Sequence, residues 1–156
     1  IQENGDLEYI VAFPEETETG QMLVITQTDI DNIVRSKGAM FAAIKSLIDY
    51  AGLTFDELSK IYVAGGFGNY LNIEKAVGIG LLPDISRERI EFVGNGSLMG
   101  ARMALVSFHA FEKAISISQG ITNIELSHFA LFGDEYMAAL YLPHIDKELL
   151  FPSVKY

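Results

Sequence analysis

Apolar positions along this chain come in short runs and helical stripes that alternate. Residues 7–13, with Leu7, Tyr9, Ile10, Val11 and Phe13, read as a strand stopped by Pro14. Residues 21–26 read as a second, with Met22, Leu23, Val24 and Ile25 as a buried run. The acidic connection between them, ending at Gly20, suits an antiparallel hairpin with a long loop. From Thr28, with Asp31 three residues on in a capping-box arrangement, apolar residues recur at Ile30, Ile33, Val34, Met40, Phe41, Ile44, Leu47, Ile48 and Ala51. That helical spacing persists until Gly52 ends it. Gly38 lies inside the helix at a cost of about 1 kcal/mol relative to Ala, which reads either as close approach of another backbone or a ligand or as a tolerated defect.

Thr54 and Glu57 repeat the capping pattern over a short turn, and residues 60–64 form a compact strand that runs into Gly65, Gly66, Phe67, Gly68 and Asn69. Asn72 caps a short helix through Ile79, closed by Gly80 and Pro83. Residues 90–93 predict another strand, followed by Gly94, Asn95, Gly96 and Ser97. A long helix then carries Leu98, Ala101, Leu105, Phe108 and Ile115 on one side until Gly120. Residues 121–126 predict a last strand, and residues 133–142 a last helix stopped by Pro143. Helices alternating with buried strands predict a three-layer α/β fold with a partly parallel sheet, one domain over residues 1–156.

Composition narrows the chemistry. Cysteine is absent, so disulfides, thiolate metal sites and cysteine nucleophiles are excluded. A net charge of -10 disfavours nonspecific binding to nucleic acid or anionic membrane, yet leaves phosphate binding by backbone amides open. The longest apolar runs are far short of the roughly 20 residues a spanning helix needs. The start at Ile1, with no signal core, reads as a fragment of a cytoplasmic protein.

In open α/β sheets, ligands bind beyond the carboxyl ends of the strands. Two glycine-rich turns, 65–69 and 94–97, sit there, where glycine frees the backbone conformation and removes the Cβ that would hold a ligand away. Together they point to a nucleotide or phosphate binder. Neither matches a Walker A loop or a dinucleotide fingerprint. His109, His128 and His144 have no metal-ligand spacing, and Ser97 has no nucleophile pattern around it. The acid pairs Asp56-Glu57 and Asp134-Glu135 fall in first turns of expected helices, where they favour the helix dipole. No catalytic or metal-binding residue is assigned.

Residues 42–71, with a helix ending in Ala51-Gly52-Leu53, a capped turn, a buried strand and the Gly65-Gly66 pair, resemble the adenosine motif of the acetate and sugar kinase/Hsp70/actin superfamily. The stretch 93–101 looks like its second connect motif. More narrowly, residues 25–30, Lys37, residues 65–71, residues 78–83 and Val93-Gly94-Asn95 resemble the C-terminal domains of reductive activators of corrinoid proteins. The resemblance runs from about Leu23 to Pro143. It implies a ribonuclease H-like, actin-like ATPase lobe with a mixed sheet flanked by helices. It also implies ATP or ADP with Mg²⁺ in the complete protein, and a [2Fe-2S] ferredoxin domain outside this chain. The implied partner is a corrinoid protein of a methyltransferase system, whose cob(II)amide is reduced to cob(I)amide.

By position in the motif, the resemblance places Gly65 and Gly66 against the ribose and α-phosphate, with Phe67 and Asn69 bordering adenine or ribose. It also implies that Lys37, and Asp29, reach the nucleotide from the long helix, while Gly94 and Gly96 serve hinge packing. The phosphate-1 hairpin of the superfamily is missing, so the chain reads as one lobe without appreciable hydrolysis of its own. Two other readings stay open: a lobe of another actin-like ATPase or kinase, or a non-catalytic module for homodimerisation or partner docking.

Overall fold

The first apolar segments pair as expected. In this computed structural model, which describes residues 7–66 and 70–155, β1 (Glu8–Ala12) runs antiparallel to β2 (Leu23–Thr26), with Glu8 opposite Thr26. The connection contains a 3-10 turn, Pro14–Glu16. Helix α1 (Gln27–Tyr50) starts earlier than the spacing predicts. Thr26 is its cap: the Asp29 N–H donates to Thr26 Oγ1 at 3.1 Å, and the Thr26 N–H and hydroxyl donate to Asp29 Oδ2 at 2.9 and 2.7 Å. The Thr28–Asp31 pair therefore lies inside the helix, starting two residues after the cap. Thr26 wins because it also ends a strand, whose extended backbone is what a cap requires.

Gly52, at φ +68°, turns the chain out of α1 towards a 3-10 turn, Phe55–Glu57, with the expected Thr54–Glu57 capping box. Strand β3 (Ile61–Ala64) then leads through the glycine turn to α2 (Ile73–Gly78), capped by Asn72. Strand β4 (Ile90–Gly94) lies parallel to β3. The expected continuous mixed sheet is, among the described residues, two separate strand pairs. The α/β class stands; the layer of strands is smaller than the pattern implies.

Three expectations for the C-terminal third are corrected. The long helix breaks into α3 (Gly96–Val106) and α4 (Phe108–Gly120) at Ser107, which is extended at φ -141°. Its hydroxyl accepts from the Ala110 N–H at 3.3 Å, so a residue inside an apolar stripe acts as a new cap. Residues 121–126 form no strand; a 3-10 turn, Leu126–His128, follows. The last predicted helix lies earlier, as α5 (Ala130–Ala138), and a short α6 (Lys147–Leu150) comes after Pro143. In both places apolar residues occupy turns, where periodicity is a poor guide.

The core gathers Phe41 of α1, Ala76 and Val77 of α2, Leu82 and Ile85 of the following turn, Ile90 at the start of β4, Ala139 and Phe151. Phe41 is central, its ring 5.2 Å from Phe151 and 5.9 Å from Phe55. The core therefore takes in β4 at its first residue, with Ile61 and Val63 of β3 packed against it. Residues of α3, α4 and α5 contribute no fully buried side chain.

Candidate functional site

Parallel pairing puts the carboxyl ends of β3 and β4 side by side, and both glycine turns emerge there. The register runs from Ile61 opposite Ile90 to Ala64 opposite Gly94, with a one-residue shift just before the turns. The Gly65 N–H donates to the Gly94 carbonyl at 2.7 Å, tying one turn to the other. Gly65 has φ +107° and Gly94 φ +64°, conformations that side-chain-bearing residues rarely adopt. Asn95 caps α3 through its Oδ1, which accepts from the Leu98 N–H at 3.0 Å. The helix thus begins immediately beyond the strands.

Space around the turns is of two kinds. Among the described residues, a Cβ built on Gly65, Gly66 or Gly94 would meet nothing within 4 Å. On Gly96 it would lie 3.6 Å from the Ala64 Cβ, so this glycine serves close packing of α3 on β3. The packing role expected for Gly96 fits that contact. Gly94 faces open space instead. Two surface clefts, of about 380 and 520 Å³, lie away from the turns and include neither Gly65 nor Gly66 among their walls.

The other expected site residues lie elsewhere or beyond description. Phe67 and Asn69 fall outside the described residues. Asp29 is committed to the cap of α1, and hydrogen bonds from Thr26 hold its carboxyl below the usual carboxylate range. Lys37 is buried and turned towards the segment beyond α5. It is 1 % exposed, and its Nζ donates to the carbonyls of Tyr141 and, at 2.7 Å, Pro143. Burial pushes its pKa down to about 8.

Other organised polar groups have no signature in the spacing. His144, packed against the rings of Phe41 and Phe151, accepts from the Asp146 N–H at Nδ1 and faces Glu135 Oε1 with Nε2 at 3.0 Å. That pattern fixes the Nε2–H tautomer. Asp84 accepts from the Ser153 N–H and hydroxyl and from Arg87, which also reaches Glu74, clipping the C-terminal segment to α2. Partners up to 69 residues apart leave no local signal. Among the described residues no cluster of acids and histidines could hold a metal ion, and no helix is long and apolar enough to cross a membrane.

Comparison with known proteins gives a consistent context. The corrinoid activation enzyme RamQ of Eubacterium limosum is 31% identical over 137 residues, covering 88% of this chain and 23% of its own. The [Co(II) methylated amine-specific corrinoid protein] reductase of Methanosarcina barkeri is 28% identical over 123 residues, 78% of this chain and 23% of its own. A solved structure of a reductive activator for a corrinoid, iron–sulfur protein superposes with a TM-score of 0.88 at 41% identity, covering 94% of this chain and 23% of that one. The chain therefore spans about a quarter of the length of these relatives. Residues 1–155 match the family described as the C-terminal domain of RACo, the ASKHA domain, and the chain belongs to that family.

Proposed function

We propose that this chain is the nucleotide-binding lobe of a longer ATP-dependent activator that reduces a corrinoid protein from cob(II)amide to cob(I)amide. The observation that carries this reading is the pair of hydrogen-bonded glycine turns at adjacent parallel strand ends, open where side chains would stand. On this reading Gly65 and Gly66 offer backbone to the ribose and α-phosphate. The ligand on this reading is ATP or ADP. With no cysteine the chain cannot ligate a [2Fe-2S] cluster, which on this reading belongs to the rest of the protein, in the cytoplasm.

ATP can favour a closed form only by binding it more tightly than the open form. A site shared between two lobes has that property, because the second lobe adds contacts only on closure. Exposed apolar faces support a lobe rather than a free-standing domain: Leu105, Val106 and Phe108 are 87%, 76% and 75% exposed. The experiment is reduction of the corrinoid partner by the full-length protein and a low-potential donor, followed by visible absorption. The Co(I) spectrum should accumulate with Mg-ATP and not without it; equal reduction in both would remove the proposal.

A second reading has an observation of its own. On the first hairpin Tyr9 and Phe13, and on α5 Leu131 and Met137, are more than half exposed. A dimerisation or partner-docking module would use such faces. Sedimentation of the full-length protein, with and without nucleotide, separates the two: a dimer that binds no nucleotide favours docking alone.

A further inference from the structure

Helix α5 ends at Ala138–Ala139 and has no basic residue in its last turn, although the end of a helix carries partial negative charge and unpaired carbonyls. The chain then runs through Tyr141 and Pro143 before α6. A cation arrives here from a different helix. Lys37, in the middle of α1, sends its ammonium to the carbonyls of Tyr141 and Pro143. Among the described residues it has no carboxylate partner.

Two glycines make this meeting possible. A Cβ on Gly38 would already stand 3.2 Å from the Ala139 carbonyl oxygen. On Gly80, at φ +76°, it would stand 2.1 Å from the Pro143 carbonyl oxygen, closer than atoms can approach. The Pro143 carbonyl is thus wedged between the end of α2 and the Lys37 ammonium. The ionisable neighbours are His144 and its partner Glu135, which satisfy each other.

We infer that Lys37 is an internal capping cation, supplied by α1 to the carbonyls beyond α5, which locks α1, the α2 turn and the C-terminal segment together and makes no contact with nucleotide. This holds whether or not the glycine turns bind ATP. It accounts for Lys37, Gly38 and Gly80 as one device. The ammonium is the useful group because it is a compact charge with three donors, enough for two carbonyls at once.

The test starts with the full-length native protein, acylated briefly with acetic anhydride and mapped by mass spectrometry. Lys37 should react at least about tenfold more slowly than exposed Lys113 and Lys155, equally with and without Mg-ATP. Reaction at the rate of Lys113, or protection only with Mg-ATP, overturns the inference. Lys37→Ala should melt below the native protein and recover in n-propylammonium chloride but not in tetramethylammonium chloride, which cannot donate. An unchanged melting temperature, or equal recovery in both salts, also overturns it. If Lys37→Ala does not fold, the acylation result decides.

Discussion

Gly65 and Gly66 are adjacent, yet the structure separates what a side chain would do at each. At Gly66 an added Cβ meets nothing within 4 Å, and its φ is not positive. Gly66→Val therefore leaves the fold intact and narrows the unfolded chain, a change of about 0.4–1 kcal/mol in favour of folding at most. At Gly65 the φ of +107° makes any side chain strained, at about 1–3 kcal/mol. For a chain of this length that lowers the melting temperature by about 2–12 °C.

Binding reverses the order of interest. A valine at 66 fills the volume through which phosphate reaches the backbone. Losing two charge-assisted hydrogen bonds, each about 1.5–3 kcal/mol, weakens nucleotide on the order of 10²–10⁴-fold. Titration calorimetry of Mg-ATP and Mg-ADP into the full-length protein and its Gly66→Val variant reads this directly, alongside their melting curves. Loss of binding with an unchanged melting temperature is the expected result. Unchanged affinity in a folded variant would refute the assignment, and so would binding lost only together with the fold.

Gly80→Ala should be severely destabilising, by at least about 3 kcal/mol, because its Cβ would meet the Pro143 carbonyl; denaturant unfolding checks this. Thr26→Ala removes the cap of α1 and should cost about 1 kcal/mol in the same assay. Burial pushes the Asp84 carboxyl up, but hydrogen bonds from Ser153 and Arg87 outweigh it and hold it below its ordinary value. Its contribution is present above the unfolded value of 3.8 and lost as pH falls through the lower folded one, so Asp84→Asn should flatten that part of the acid-unfolding curve.

The features legible in the amino-acid sequence are those that local chemistry determines. The Thr54–Glu57 box, the Asn72 cap and the glycine stops at 52 and 80 each involve neighbours a few residues apart, and they appear as expected. Both glycine turns are legible for the same reason, since a buried strand followed by glycines needs no distant partner. What connects them is not: the Gly65–Gly94 hydrogen bond and the parallel register exist only once β3 and β4 pair. Ser107 and residues 121–126 mislead because apolar residues on uncovered elements mimic the periodicity of buried ones.

Lys37 shows the limit most clearly. Motif resemblance marks it as a meaningful residue but assigns it to the nucleotide, whereas its partners lie 104 and 106 positions away in the turn beyond α5. A family motif records that a residue matters, and packing determines for what. The same distinction bears on function. The residues this chain uses to hold itself together surround Phe41, while those facing open space lie at the opposite ends of β3 and β4. On the proposed reading, a lobe built this way brings its strand ends to a second lobe without disturbing its own core, the mechanical condition for coupling nucleotide binding to closure.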